Sequence, residues 1–171
     1  IFLNTGYGQF THKKQTTNSD DNTGYDYYVG IWHFDEGRGD TAQDSSQLQN
    51  DAYLYGPSWV DGISEKALYF DGKNDFVLVN NHPFLNFGEI GCFSIDLYIK
   101  RHGSLIDKPE GLISKRTSKF CWGYGIVIDT NNTIKFAIGD GSQNYILYSR
   151  TLVEDNEWHH IVAVWDGNTQ Y

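Results

Sequence analysis

Carboxylates, a histidine, indoles and glycine-bearing turns crowd into residues 31–79 of this chain: Asp35, Glu36, Asp44, Asp51, Asp71 and Asp75, with Trp32, His33 and Trp59 among them. Such residue types could do three kinds of chemistry. Two carboxyl groups about 5 Å apart hydrolyse glycosides with retention. Carboxylate, amide and carbonyl oxygens converging from loops hold Ca²⁺, which takes about six to eight of them. An aromatic ring flanked by planar polar groups stacks on the apolar face of a sugar.

Hydrolysis is the easiest to test on spacing, because alternate residues of a strand share a face and a catalytic pair on one strand must sit at i and i+2. Asp35 and Glu36 are adjacent and point to opposite faces, Glu154 and Asp155 fall in a turn, and no Glu-x-Asp-x-x-Glu pattern occurs. Gly-x-Ser-x-Gly, His-Glu-x-x-His and phosphate-loop patterns are absent as well. His159 and His160 are neighbours on a strand, so one faces inward and the other outward. The sequence predicts no catalysis.

Calcium has two candidate loops. "DSSQLQND" offers Asp44, Asn50 and Asp51, and "FDGKND" offers Asp71, Asn74 and Asp75. The competing reading is that Asp and Asn stand there because their side chains hydrogen-bond the turn backbone. For a sugar platform the candidates are Trp59, Trp122, Tyr124 and Tyr145, with Trp59 and Trp122 next to turns. Trp32 and Trp165 lie within alternating runs and are expected in the core.

The elements that must position these residues are strands. Tyr supplies 12 of the 171 residues, Gly 18, and aromatics make up 16%; this favours strands and turns over helices. Short β-branched and aromatic runs occupy 27–34, 67–70, 76–79, 92–100, 111–114, 123–129, 133–138, 145–149 and 159–165. Asp71-Gly72, Asp129-Thr130-Asn131-Asn132, Asp140-Gly141 and Asp166-Gly167 punctuate them as hairpin turns. "FSIDLYI" puts Phe93, Ile95, Leu97 and Ile99 on one face, and "HIVAVW" puts Ile161, Ala163 and Trp165 on one face. About nine strands with no helix-length pattern predict an all-β sandwich of two antiparallel sheets. Residues 1–26, polar and without period, read as an N-terminal arm or linker ahead of a domain at 27–171.

A formal net charge of -9 excludes the phosphate-neutralising surface that nucleic acid needs and disfavours anionic membranes. No run reaches the roughly 18 apolar residues of a membrane helix, so membrane insertion is not expected. Cys92 and Cys121 have no zinc spacing, and a disulfide between them and two free thiols both stay open. Asn131-Asn132-Thr133 fits the glycosylation acceptor pattern.

The ordered series "WHFDEGRGDTAQDSS", "NDAYLYGPSWVDGISEKALYFDGKNDFVLV", "LNFGEIGCFSIDLYIK", "GLISK", "GYGIVIDTNNTIKFAIGD" and "EWHHIVAVWDGNTQY" resembles the laminin-G-like branch of the concanavalin A-like lectin/glucanase superfamily, over residues 28–171. The resemblance implies a jelly-roll sandwich and a non-catalytic, extracellular or cell-surface module that binds carbohydrate or a protein surface. It also implies further strands after "WHHIVAVWDG", so the sandwich is expected to be incomplete at its C-terminus. A second expectation follows, that of a structural subunit of a filament, sheath or virion appendage, completed by neighbouring subunits across an open edge.

Overall fold

The computed structural model describes residues 13–14, 27–86, 92–102, 107–116, 122–154 and 156–171. Among them the chain is all-β, with thirteen strands and one 3₁₀ turn at Pro83–Leu85. The strands are β1 (Lys13–Lys14), β2 (Tyr27–Tyr28), β3 (Thr41–Ala42), β4 (Ala52–Tyr55), β5 (Ser58–Asp61), β6 (Lys66–Tyr69) and β7 (Phe76–Val79). They continue with β8 (Phe93–Lys100), β9 (Glu110–Arg116), β10 (Trp122–Ile128), β11 (Thr133–Asp140), β12 (Asn144–Leu152) and β13 (Trp158–Trp165). Every pairing is antiparallel.

The largest sheet runs in the order β12-β11-β10-β9, and β8 pairs with β13. These two sheets face each other through their apolar phases. Phe93 of β8 packs with its ring centroid 5.4 Å from Tyr124 of β10 and 6.1 Å from Phe136 of β11. Phe93, Ile95, Leu97, Ile99, Ile126, Ile128, Phe136 and Ala163 are all buried, as the alternation predicts, whereas Ile161 is only half-buried. A further three-stranded sheet, β3-β4-β7, and the β5-β6 hairpin complete the described body, and their inner residues join the same core.

Two departures from the sequence reading matter for function. The expected strand at 27–34 is reduced to β2 and an isolated bridge between Trp32 and Asp44, because Phe34 adopts a left-handed backbone with φ 54 that breaks extension. In exchange β4 and β5, unassigned in the sequence, form from "AYLY" and "SWVD". Within the expected arm, Lys13–Lys14 pairs with Tyr27–Tyr28; the remainder of 1–26 lies outside the described residues.

At the other end, the Asp166-Gly167 turn returns the chain onto β13. Tyr171 and Val164 exchange two backbone hydrogen bonds of 2.9 and 3.0 Å, and Trp165 bridges Gln170.

Candidate functional site: an outward aromatic shelf

Asp44, the first calcium candidate, is 6% exposed and its carboxylate is fully engaged. Oδ1 accepts from the backbone N–H groups of Ile31 at 2.9 Å and Ser46 at 2.8 Å. Oδ2 accepts from Ser46 Oγ at 2.8 Å and from the Asn50 N–H at 2.9 Å. A carboxylate offers about four lone-pair sites, so none remains for an ion. Asp51 uses Oδ1 to accept from the Asp44 N–H at 2.9 Å, and Asn50 donates its amide to the Asn80 carbonyl at 3.0 Å.

In the second loop Asp71 Oδ1 accepts from the Lys73 N–H and Asp75 Oδ2 from the Asp71 N–H, both at 2.9 Å, while Asn74 is exposed at the tip. Asp75 Oδ1 stands over Gly56, where a Cβ would lie 2.1 Å away; only glycine admits that approach. No three His, Cys, Asp or Glu side chains converge among the described residues. Among the described residues both loops are turns stapled by their own Asp side chains.

The aromatic candidates disperse. Tyr124, expected as a platform, is instead a core residue at 3% exposure, because it shares the inward phase of β10 with Ile126 and Ile128; burial raises its phenol pKa far above the ordinary range. Trp59 is half-buried against the core and donates Nε1–H to the Gly39 carbonyl at 2.9 Å. Trp122 opens β10 opposite Asp140, and its side chain lies outside the described residues. Tyr145 is half-buried at the sandwich rim, its ring 5.0 Å from Trp165, and its hydroxyl donates to Asp140 Oδ2 at 3.3 Å. The backbone pairing does bring Trp122, Tyr124 and Tyr145 to one end of the β10-β11-β12 sheet, where Tyr124 is buried and Tyr145 packs half-buried against the core.

The outward aromatic surface lies elsewhere, on β4 and β7. Ala52, Leu54, Val77 and Val79 face the core. The opposite phase, Tyr53, Tyr55, Phe76 and Leu78, faces solvent and is aromatic or apolar throughout. Tyr53 is 42% and Tyr55 47% exposed. The Tyr55 and Phe76 rings stack at 4.6 Å and 12°, close to the strand spacing of about 4.8 Å, so the two rings stand side by side across the pair.

The other face of Tyr55 looks toward the chain leading into β3. The register Thr41 to Tyr53 and Ala42 to Ala52 places Gly39 level with Tyr55, and the Leu54 N–H donates to the Asp40 carbonyl at 2.8 Å in agreement. Gly39 has φ 81, and a Cβ built on it would meet nothing within 4 Å. The result is a shelf: a tyrosine wall, a glycine floor pinned through its carbonyl by Trp59, and the exposed Arg38 and Asp40 at its flanks. None of Trp59, Trp122, Tyr124 and Tyr145 belongs to it; the signal in the sequence is that "AYLY" and "FVLV" are aromatic or apolar in both phases.

A laminin G family model, described as concanavalin A-like lectin/glucanases superfamily, matches residues 71–171. The chain belongs to that superfamily. No curated protein and no solved structure matches it. Membership makes this a concanavalin A-like module of a kind that binds carbohydrate or protein, is generally non-catalytic and is typically extracellular. No helix among the described residues is long and apolar enough to cross a membrane.

Two polar devices fix the ends of this concanavalin A-like sandwich. Arg101, buried where β8 ends, donates Nε–H to Glu110 Oε2 at 2.9 Å and Nη2–H to Oε1 at 3.3 Å, and Nη1–H to Asn132 Oδ1 at 3.2 Å. Asn132 in turn donates to Glu154 at 2.6 Å, so β8, β9, the β10-β11 turn and the chain after β12 share one clasp. At the β11-β12 turn, hydrogen bonds from the Gln143 N–H, then the Ser142 hydroxyl and N–H, hold the Asp140 carboxyl down at a pKa of about 2. On the outer face of β8 and β13, His160 Nε2 lies 2.8 Å from Asp96 Oδ1 with its ring stacked 4.3 Å from Tyr98. His160 faces outward and His159 lies in the opposite phase, as expected.

Proposed function

We propose that this protein is a non-catalytic extracellular recognition module that binds carbohydrate through the shelf of Tyr53, Tyr55 and Phe76. The observation that carries the reading is the exposed face of Tyr55 over the open floor at Gly39. Aromatic faces are electron-rich and meet the C–H face of a pyranose, while Arg38, Asp40 and Thr41 supply donors and acceptors for hydroxyls beside it. A protein surface would seek the same aromatic residues, so the test must separate the two. Isothermal titration of the purified module with oligosaccharides, wild type against Tyr55→Ala, is expected to show binding that the substitution weakens tenfold or more. Binding that is identical in Tyr55→Ala would refute the placement.

The second reading, a structural subunit completed by neighbouring chains, has its own support. β12 is the outermost strand of its sheet, and it exposes Ile146 and Tyr148 on one face and Leu147 on the other. Arg150 is its one charged residue and it holds no lysine or proline, so the stretch 144–148, ahead of the register irregularity opposite Thr133 and Lys135, is little guarded as a free edge. In this reading an extended segment of a neighbouring chain adds to β12. Sedimentation over a range of concentrations tests it: assembly that Ile146→Lys with Tyr148→Lys abolishes supports the reading, and a concentration-independent monomer refutes it.

A further inference from the structure

We infer that the shelf takes an uncharged glycan of at least two linked sugars and rejects glycans that carry uronate or sulfate groups. The inference rests on the carbohydrate reading above and narrows its ligand. Length follows from strand geometry. Tyr53 and Tyr55 share a face two residues apart on β4, so their Cα atoms stand about 7 Å apart. That exceeds the width of one pyranose ring, and a single sugar covers one tyrosine while leaving the other wet.

Charge selects the ligand class. The segment entering β3 contributes Asp35, Glu36 and Asp40 against one cation, Arg38. The turn entering β7 contributes Asp71 and Asp75 against Lys73, which is held 3.8 Å from Asp71. Lys66 packs its stem against Gly37, yet its ammonium lies 2.6 Å from Asp61. Arg38 is therefore the one cation of these two segments that makes no ion pair among the described residues, against five carboxylates in the same segments and a net charge of -9 for the chain. An anionic sugar laid on Tyr55 meets a negative field that one guanidinium cannot offset. Hydroxyls feel no such penalty, and both carboxylate and guanidinium groups can hydrogen-bond them.

The test is titration with neutral cello-, galacto- and chito-oligosaccharides of one to three units, against oligogalacturonate and heparin oligosaccharides. It is run at about 20 mM salt, where screening extends over roughly 20 Å, and again at high salt. The expected result is that the best neutral trisaccharide binds at least tenfold more tightly than either anionic probe and than its own monosaccharide. The neutral-to-anionic ratio should shrink at high salt. Anionic probes that bind as tightly, in a manner Tyr55→Ala weakens, would overturn the selectivity while leaving the platform standing. Absence of binding by every probe, or binding indifferent to Tyr55→Ala, would overturn the platform and this inference with it.

Discussion

Replacing Asp44 with alanine should be among the most destabilising single changes in the loops of this protein, and calcium should not alter the effect. Four donors converge on this one carboxylate at 2.8 to 2.9 Å, three of them backbone N–H groups, and both Asp44 and Ser46 are buried. A buried donor left without an acceptor costs about 1 to 3 kcal/mol. The Ser46 hydroxyl can rotate to another acceptor and water can enter part of the vacated space, so the three N–H groups set the scale. We expect a loss of about 3 to 5 kcal/mol for Asp44→Ala. Asp44→Asn keeps one carbonyl oxygen for two donors but turns an NH₂ toward the others, and should lose about half as much. Urea unfolding followed by tryptophan fluorescence reads this directly. With an m-value of about 1 to 3 kcal/mol/M, the alanine variant should shift the midpoint down by at least about 1 M at unchanged m. Two results would refute the reasoning: a midpoint within experimental error of wild type, or a wild-type midpoint that rises with millimolar Ca²⁺ while that of Asp44→Ala does not.

Arg101→Ala should cost about 3 to 5 kcal/mol, since it strips the bidentate partner from Glu110 and an amide partner from Asn132 inside the clasp; thermal unfolding checks it, and Arg101→Lys should restore little because an ammonium cannot reproduce the fork. Acid should loosen the β11-β12 turn. The folded pKa of Asp140 is about 2, below the ordinary 3.8, so its stabilising contribution is fully present above about pH 4 and is lost as pH falls toward 2. Chemical shifts of Ser142 and Gln143 amides should follow that titration in wild type and not in Asp140→Asn.

How much of this was legible in the sequence depends on which side of a strand carried the signal. "FSIDLYI" and "HIVAVW" alternate cleanly, so β8 and β13 could be read with their faces assigned. The sandwich followed from them. Ile161 shows the limit: its phase is inward, yet β13 lies at the margin of a two-stranded sheet and the residue stays half-exposed, which no local pattern encodes. The segment 27–34 carried strong β propensity, but a left-handed Phe34 and the tether from Ile31 N–H to Asp44 bend it. Tertiary bonding overrode propensity there.

The candidate site was hidden for a related physical reason. Residue types that attract attention in a sequence, the carboxylates and indoles, are those most useful for closing turns and filling gaps in a small sandwich. Asp44, Asp71 and Asp75 hold backbone amides, Tyr124 fills the core, and Trp59 spends its one donor on Gly39. Binding surface arises instead where a strand is apolar in the phase that need not be. A half-buried sheet requires one apolar face, so Ala52, Leu54, Val77 and Val79 are explained by folding alone, whereas Tyr53, Tyr55, Phe76 and Leu78 are not. Exposed apolar area of that kind opposes solubility and marks a surface meant to be covered. Gly39 sharpens the distinction, because its φ of 81 lies in the region that favours glycine, so the backbone that the register sets level with Tyr55 carries no side chain. The turn carboxylates and the shelf are thus linked: Asp75 over Gly56 and Trp59 on Gly39 fix the two backbones between which the Tyr55 ring stands.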